Sequence, residues 1–130
     1  MRFHHVGVAC ADLDVETAAY RSLGYTPERE DFVDQAQGVQ GRFLFGGGPR
    51  LELLVSLPGS NVLEPWTSRG VRMYHIAYET RSLTEDIERL KRERGRVVSP
   101  PTPAVVFSGR AVAFIVLPTL QLVELIAADD

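Results

Sequence analysis

Residues 50–57 read RLELLVSL, and residues 119–127 read TLQLVELIA. Both stretches have the composition and length of β-strands. In each, a single glutamate, Glu52 or Glu124, stands among leucines, valine and isoleucine. Alternation along a strand puts Glu52 on the face of Leu54, and Glu124 on the face of Leu122 and Ile126. A carboxylate on an apolar strand face loses water, which costs several kcal/mol by rough estimate unless a cation or a proton compensates it.

Each glutamate strand is preceded at nearly equal distance by a strand carrying a histidine. Residues 3–10 read FHHVGVAC and residues 71–79 read VRMYHIAYE, so that His5 aligns with His75 as Glu52 aligns with Glu124. On the first strand Phe3, His5, Gly7 and Ala9 share one face, and His4, Val6 and Val8 the other. The match with Tyr74 places His4 on the packing or surface side. On the later strand Met73, His75, Ala77 and Glu79 share a face. A small residue, Gly7 or Ala77, lies two places beyond each histidine and leaves room for a ligand.

The surrounding pattern repeats as well. In the first half a helix is expected over 12–23, with Asp12 as N-cap and Gly24 as its stop. A short strand at 25–29, a polar loop at 30–38, and strands 39–46 and 50–57 around the Gly47-Gly48-Pro49 turn come next. In the second half Ser82 and Glu85 form a capping box for a helix that ends at Gly95. A short strand at 96–98, a proline-rich loop at 99–104, and strands 110–117 and 119–127 complete it. The expected fold is α+β: two tandem βαβββ modules, 1–57 and 70–130, joined by a connector at 58–69. One module cannot bury both faces of its sheet. Two four-stranded sheets side by side therefore give a curved, partly open, eight-stranded barrel-like sheet with the helices outside. Trp66, on the connector, is expected to plug the join between halves or a dimer contact.

Bulk composition narrows the function. With 130 residues, 45% of them apolar, the chain has the size and the core of one domain. A net charge of −3 with scattered basic residues argues against nucleic acid and membrane surfaces as partners. The N-terminus enters a strand-like pattern directly, without the form of a signal peptide. The single cysteine, Cys10, cannot form an internal disulfide and reads as packing, which fits a cytoplasmic location.

Two neutral imidazoles and two carboxylates around a divalent cation sum to zero charge. The set His5, Glu52, His75 and Glu124 therefore reads as ligands for one zinc, cobalt, nickel, manganese or iron(II) ion. An octahedral metal would keep two positions open for water or substrate. Taken singly, each residue also has an ordinary explanation. A histidine on a half-buried strand is commonly a hydrogen-bonded core residue, and a strand glutamate commonly faces solvent or pairs with an arginine, here Arg42, Arg50 or Arg110.

The stretches FHHVGVAC, RLELLV, YHIAYE and LVELI resemble the vicinal-oxygen-chelate superfamily, which includes glyoxalase I, methylmalonyl-CoA epimerase, extradiol dioxygenases and bleomycin- or fosfomycin-resistance proteins. The resemblance covers nearly the whole chain and is nearest to the epimerase branch, with SGRAVAFIVLP similar to an epimerase segment. It implies one divalent metal on His5, Glu52, His75 and Glu124, which chelates substrate oxygens while a glutamate moves a proton. Glu124 is the expected proton carrier, with Glu52 as its partner. It also implies a small-molecule substrate, an acyl-CoA or another carbonyl compound, and a homodimer. Phe43, Phe45 and Phe114 are expected pocket walls beside Gly7, and Arg110 an anchor for a substrate carboxylate or phosphate. The reaction expected is isomerisation, epimerisation or lyase chemistry next to a carbonyl. The alternatives are a non-enzymatic antibiotic-binding protein, which needs no metal, and an iron(II) ring-cleaving dioxygenase, in which Glu52 would occupy a position that oxygen or catechol requires.

Overall fold

The computed structural model describes residues 1–128. These form nine strands and three α-helices in an α+β arrangement. The chain divides into two compact units: His5–Tyr74, and Met1–His4 together with the chain from His75 onward. No helix among the described residues is long and apolar enough to cross a membrane.

The unit His5–Tyr74 contains most of β1 (Arg2–Ala9), α1 (Leu13–Arg21), β2 (Thr26–Pro27), β3 (Phe32–Asp34), β4 (Val39–Phe45), β5 (Leu51–Ser56) and the short α2 (Glu64–Thr67). Strand β1 runs parallel to β5, and β4 is antiparallel to β5. Strands β2 and β3 both pair with the outer side of β4. Asp12 caps α1 as its sequence requires, accepting a hydrogen bond from the Val15 amide at 2.9 Å. One sheet face carries Val6, Val8, Leu44, Leu51, Leu53 and Val55, which pack with Leu13 and Tyr20 of α1. The helix thus covers the face opposite His5.

The sequence pattern reads 30–38 as a loop, but Phe32–Asp34 is a ninth strand, paired with Val39, Gln40 and Gly41. Three residues are too few for alternation to show in the sequence. The hairpin is closed by the Asp34 carboxylate accepting from the Gln37 amide, and by Gly38, whose φ of 72° suits glycine.

In the other unit the strands run in the order β6 (Met73–Thr80), β9 (Leu122–Ala127), β8 (Ala111–Val116) and β7 (Arg96–Pro103). Helix α3 (Leu83–Arg92) packs Leu83, Ile87 and Leu90 on Ile76, Tyr78, Ala113, Ile115, Val123 and Leu125. The expected capping box is absent. The Ser82 side chain makes no cap bond; the Thr80 hydroxyl accepts from the Ser82 amide and donates to Asp86. Residues 99–104, expected as a loop, mostly continue β7. Its prolines lack the amide a central strand needs, but β7 closes the strand order and pairs with β8 through register shifts, so the missing donors are tolerated. A single 3₁₀ turn at Val105–Phe107 then leads into β8.

Candidate metal centre

Because each helix covers one face of its sheet, the opposite faces are left to the histidines and glutamates. In the unit His5–Tyr74, Gly7 of β1 and Phe43 of β4 lie directly opposite Glu52 of β5. His5, two residues before Gly7, shares that face. Its Nε2 stands 3.1 Å from Glu52 Oε1. Phe43 meets the His5 ring edge-on at 5.4 Å. The second unit holds the same arrangement. Ala77 of β6 and Phe114 of β8 lie opposite Glu124 of β9. His75 Nε2 is 3.3 Å from Glu124 Oε1, and Phe114 meets His75 edge-on at 5.5 Å. The repeat read from His and Glu thus extends to a small residue and a phenylalanine around each pair.

These polar groups are far from water. His5 is 0%, Glu52 5%, His75 1% and Glu124 3% exposed. A neutral imidazole beside a carboxylate leaves one negative charge per pair, and burial at this depth requires that charge to be met. The arginines considered as neutralising partners each hold another carboxylate. Arg42 bonds Asp31 and Asp14, Arg50 bonds Glu28, and Arg110 bonds Glu79. Among the described residues, those that could hold a metal ion are His5 and Glu52 in one unit, and His75 and Glu124 in the other. Each pair offers one imidazole nitrogen and one carboxylate, donors that suit a borderline divalent cation.

The remaining expected site residues have varied surroundings. Phe43 is buried, while Phe45, at the end of β4, is half exposed. Arg110, expected as a substrate anchor, donates to Glu79 at 2.8 Å and to the Ala127 carbonyl at 3.2 Å. Arg2 reaches the same Glu79 carboxylate at 2.6 Å. The Arg2 and Arg110 hydrogen bonds hold the Glu79 carboxyl down to about 2. His4 lies edge-on to Phe107, and Trp66 against Tyr74.

Two residues that the sequence pattern passed over belong with the first pair. Phe32 of β3 lies 5.9 Å from Phe43. The Arg29 guanidinium sits over the same Phe43 ring, 5.2 Å from its centroid. The signal for Phe32 was Gly41, an isolated glycine inside a strand, which marks a close approach by another group. A Cβ there would lie 2.6 Å from Phe32 Cε1.

Comparison with known proteins agrees with this architecture. Residues 4–114 match the family model described as glyoxalase/bleomycin resistance protein/dioxygenase superfamily. The chain is 28% identical over 118 residues to an ethylmalonyl-CoA/methylmalonyl-CoA epimerase of Cereibacter sphaeroides, covering 88% of this chain and 87% of that one. The fold is that of methylmalonyl-CoA epimerase from Mycobacterium tuberculosis, with a TM-score of 0.79 at 24% identity over 99% of this chain and 89% of that chain. A variant of the Streptomyces coelicolor methylmalonyl-CoA epimerase, in complex with 2-nitronate-propionyl-CoA, matches with a TM-score of 0.74 at 25% identity, covering 98% and 94% of the two chains.

Proposed function

The chain belongs to the glyoxalase/bleomycin resistance protein/dioxygenase superfamily, and from that premise we propose that it is a divalent-metal-dependent isomerase acting on the carbon next to the carbonyl of an acyl-CoA or related carbonyl compound. The observation that carries this reading is the occurrence, once in each unit, of a buried His–Glu pair with a small residue and a phenylalanine opposite the glutamate. In this reading His5, Glu52, His75 and Glu124 together hold one metal ion.

Held there, a divalent cation would supply stabilisation of negative charge on a substrate oxygen next to an ionising carbon. The chain's own residues supply the rest. His5 and His75 contribute neutral nitrogen donors. Glu124 takes the proton from the carbon and returns it, and Glu52 occupies the equivalent place in the other half of the repeat. Phe43 and Phe114 wall the two pairs and exclude water, which strengthens every charge interaction beside them. The small residues Gly7 and Ala77 leave space opposite the carboxylates. The epimerase relatives support the acyl-CoA class. Epimerisation and lyase chemistry share this proton abstraction and differ in the fate of the resulting carbanion.

The test is metal content by mass spectrometry on wild type, His75→Ala and Glu124→Ala, purified without chelators and then reloaded. The expected result is close to one metal per chain in wild type and none in either variant. Wild type should then exchange the α-proton of acyl-CoA thioesters in heavy water, and Glu124→Gln should lose that exchange by about a hundredfold or more. A wild type that stays metal-free after reloading removes the catalytic reading and leaves a ligand-binding protein.

A further inference from the structure

We infer that Arg29 recognises a substrate anion beside the His5–Glu52 pair, so that the preferred carbonyl compounds carry a carboxylate or phosphate in addition to the reacting carbonyl. The inference rests on the reading of this site as one that takes a carbonyl substrate, and it assigns the feature that selects among such substrates.

The case begins with the local charges. Arg29 lies on the segment between β2 and β3, among Glu28, Glu30 and Asp31. An arginine in so acidic a stretch would ordinarily pair with one of them. Here the two neighbours with ordered partners are taken by other arginines. Glu28 pairs with Arg50 at 3.1 Å, and its amide donates to the Phe43 carbonyl. Asp31 receives two hydrogen bonds from Arg42, at 2.7 and 2.9 Å. Among the described residues no carboxylate is paired with Arg29.

Its position is nonetheless defined. The guanidinium lies over the Phe43 ring at 5.2 Å. A cation over an aromatic face is attracted by the negative π-face of the ring, which biases the side chain toward one place. Phe43 is 1% exposed and meets His5 edge-on. One ring therefore separates an exposed, unpaired guanidinium from a candidate metal ligand. A guanidinium held by an aromatic ring and by no carboxylate keeps its N–H donors for an outside anion, and its planar fork can bind carboxylate or phosphate oxygens two at a time. Arg110, the other cation considered for this role, is engaged with Glu79.

The test uses direct binding by calorimetry, which does not depend on turnover, on metal-loaded wild type, Arg29→Ala and Arg29→Lys. Three ligands separate the sources of the anion: methylmalonyl-CoA, propionyl-CoA without the free carboxylate, and methylmalonyl-pantetheine without the nucleotide phosphates. Arg29→Ala is expected to weaken methylmalonyl-CoA about tenfold or more, and Arg29→Lys less. If the penalty disappears with propionyl-CoA, Arg29 reads the carboxylate; if it disappears with methylmalonyl-pantetheine, it reads a phosphate. Equal affinities for wild type and Arg29→Ala, an equal penalty on all three ligands, or no binding by wild type overturns the assignment. Metal content measured on the same samples keeps the two readings apart. A metal-loaded protein indifferent to Arg29 loses only this assignment, and a metal-free protein that still binds through Arg29 loses only the metal.

Discussion

Gly41→Ala tests how the wall beside the first His–Glu pair is built. Phe32, Gly41 and Leu54 stand directly opposite one another on three adjacent strands. The Phe32 ring covers the space a side chain at position 41 would fill. An added Cβ would lie 2.6 Å from Phe32 Cε1 and 2.9 Å from Leu54 Cδ2, and closer still to Phe32 Cζ. Neither backbone can move away without breaking the pairing of β3 with β4 or of β4 with β5, so the ring must turn out. Overpacking of this kind costs about 1–3 kcal/mol. The lost approach to Phe43 adds about 0.5–1.5 kcal/mol. The expected loss is therefore about 1.5–4.5 kcal/mol, read as a lower urea midpoint at unchanged slope. Phe32→Ala, at a half-buried ring, should cost about 2 kcal/mol, less than a fully buried phenylalanine. Once the ring is gone the new methyl has room, so the double variant should be less destabilised than the sum by about 1 kcal/mol or more. Additivity within about 0.5 kcal/mol would show that the ring is not what position 41 accommodates, and would refute the reasoning.

Two further predictions concern groups away from that wall. The Glu79 carboxyl is lowered from 4.5 to about 2 by Arg2 and Arg110, so its stabilising contribution is full above about pH 4.5 and is lost as the pH falls toward 2. Glu79→Gln should therefore be less stable than wild type at pH 7, by an amount on the order of 2 kcal/mol after discounting for the exposed Arg2, and the difference should vanish near pH 2 in thermal melts. Burial pushes the Cys10 thiol up to about 11, while its Sγ donates to the Leu54 carbonyl at 3.4 Å. Iodoacetamide at pH 8 should label Cys10 in native protein at least about a hundredfold more slowly than in urea-unfolded protein, and comparable rates would show the thiol to be accessible.

Much of this architecture is legible in the chain because its strongest signals are local. Alternation in FHHVGVAC separates His5 and Gly7 from Val6 and Val8, and Val6 and Val8 do pack with α1. The same logic puts Glu52 on the face of Leu54 and Glu124 on that of Leu122 and Ile126, and α1 and α3 pack on the opposite faces. What escaped was set by pairing across strands. Phe32–Asp34 is strand only because Val39–Gly41 folds back onto it. Residues 99–103 are strand only because β8 lies alongside, and their prolines point to a loop until the strand is known to be last in its order. Ser82 and Glu85 have capping-box spacing, but Thr80 reaches the Ser82 amide first, a competition that spacing cannot express.

Arg110 and Arg29 show the same division within a single residue type. Arg110 has the alternation of Phe114 on β8, so its sequence position alone directs it to the face of Glu124. Glu79 has the alternation of His75 on β6, and it meets Arg110 there. The partner is 31 positions distant in the chain, and no local pattern announces it. Arg29 is the reverse case. Its acidic neighbours suggest local pairing, yet Arg50 and Arg42, brought up by β4 and the segment before β5, take Glu28 and Asp31. An arginine's availability to an outside anion is thus decided by which carboxylates the rest of the sheet delivers to its neighbours. Glu28→Gln or Asp31→Asn, which each remove one carboxylate partner of Arg50 or Arg42 without adding a carboxylate near Arg29, should therefore leave Arg29-dependent ligand selectivity in place. Loss of that selectivity in both would mean that the paired acids, not the guanidinium over Phe43, set the preference.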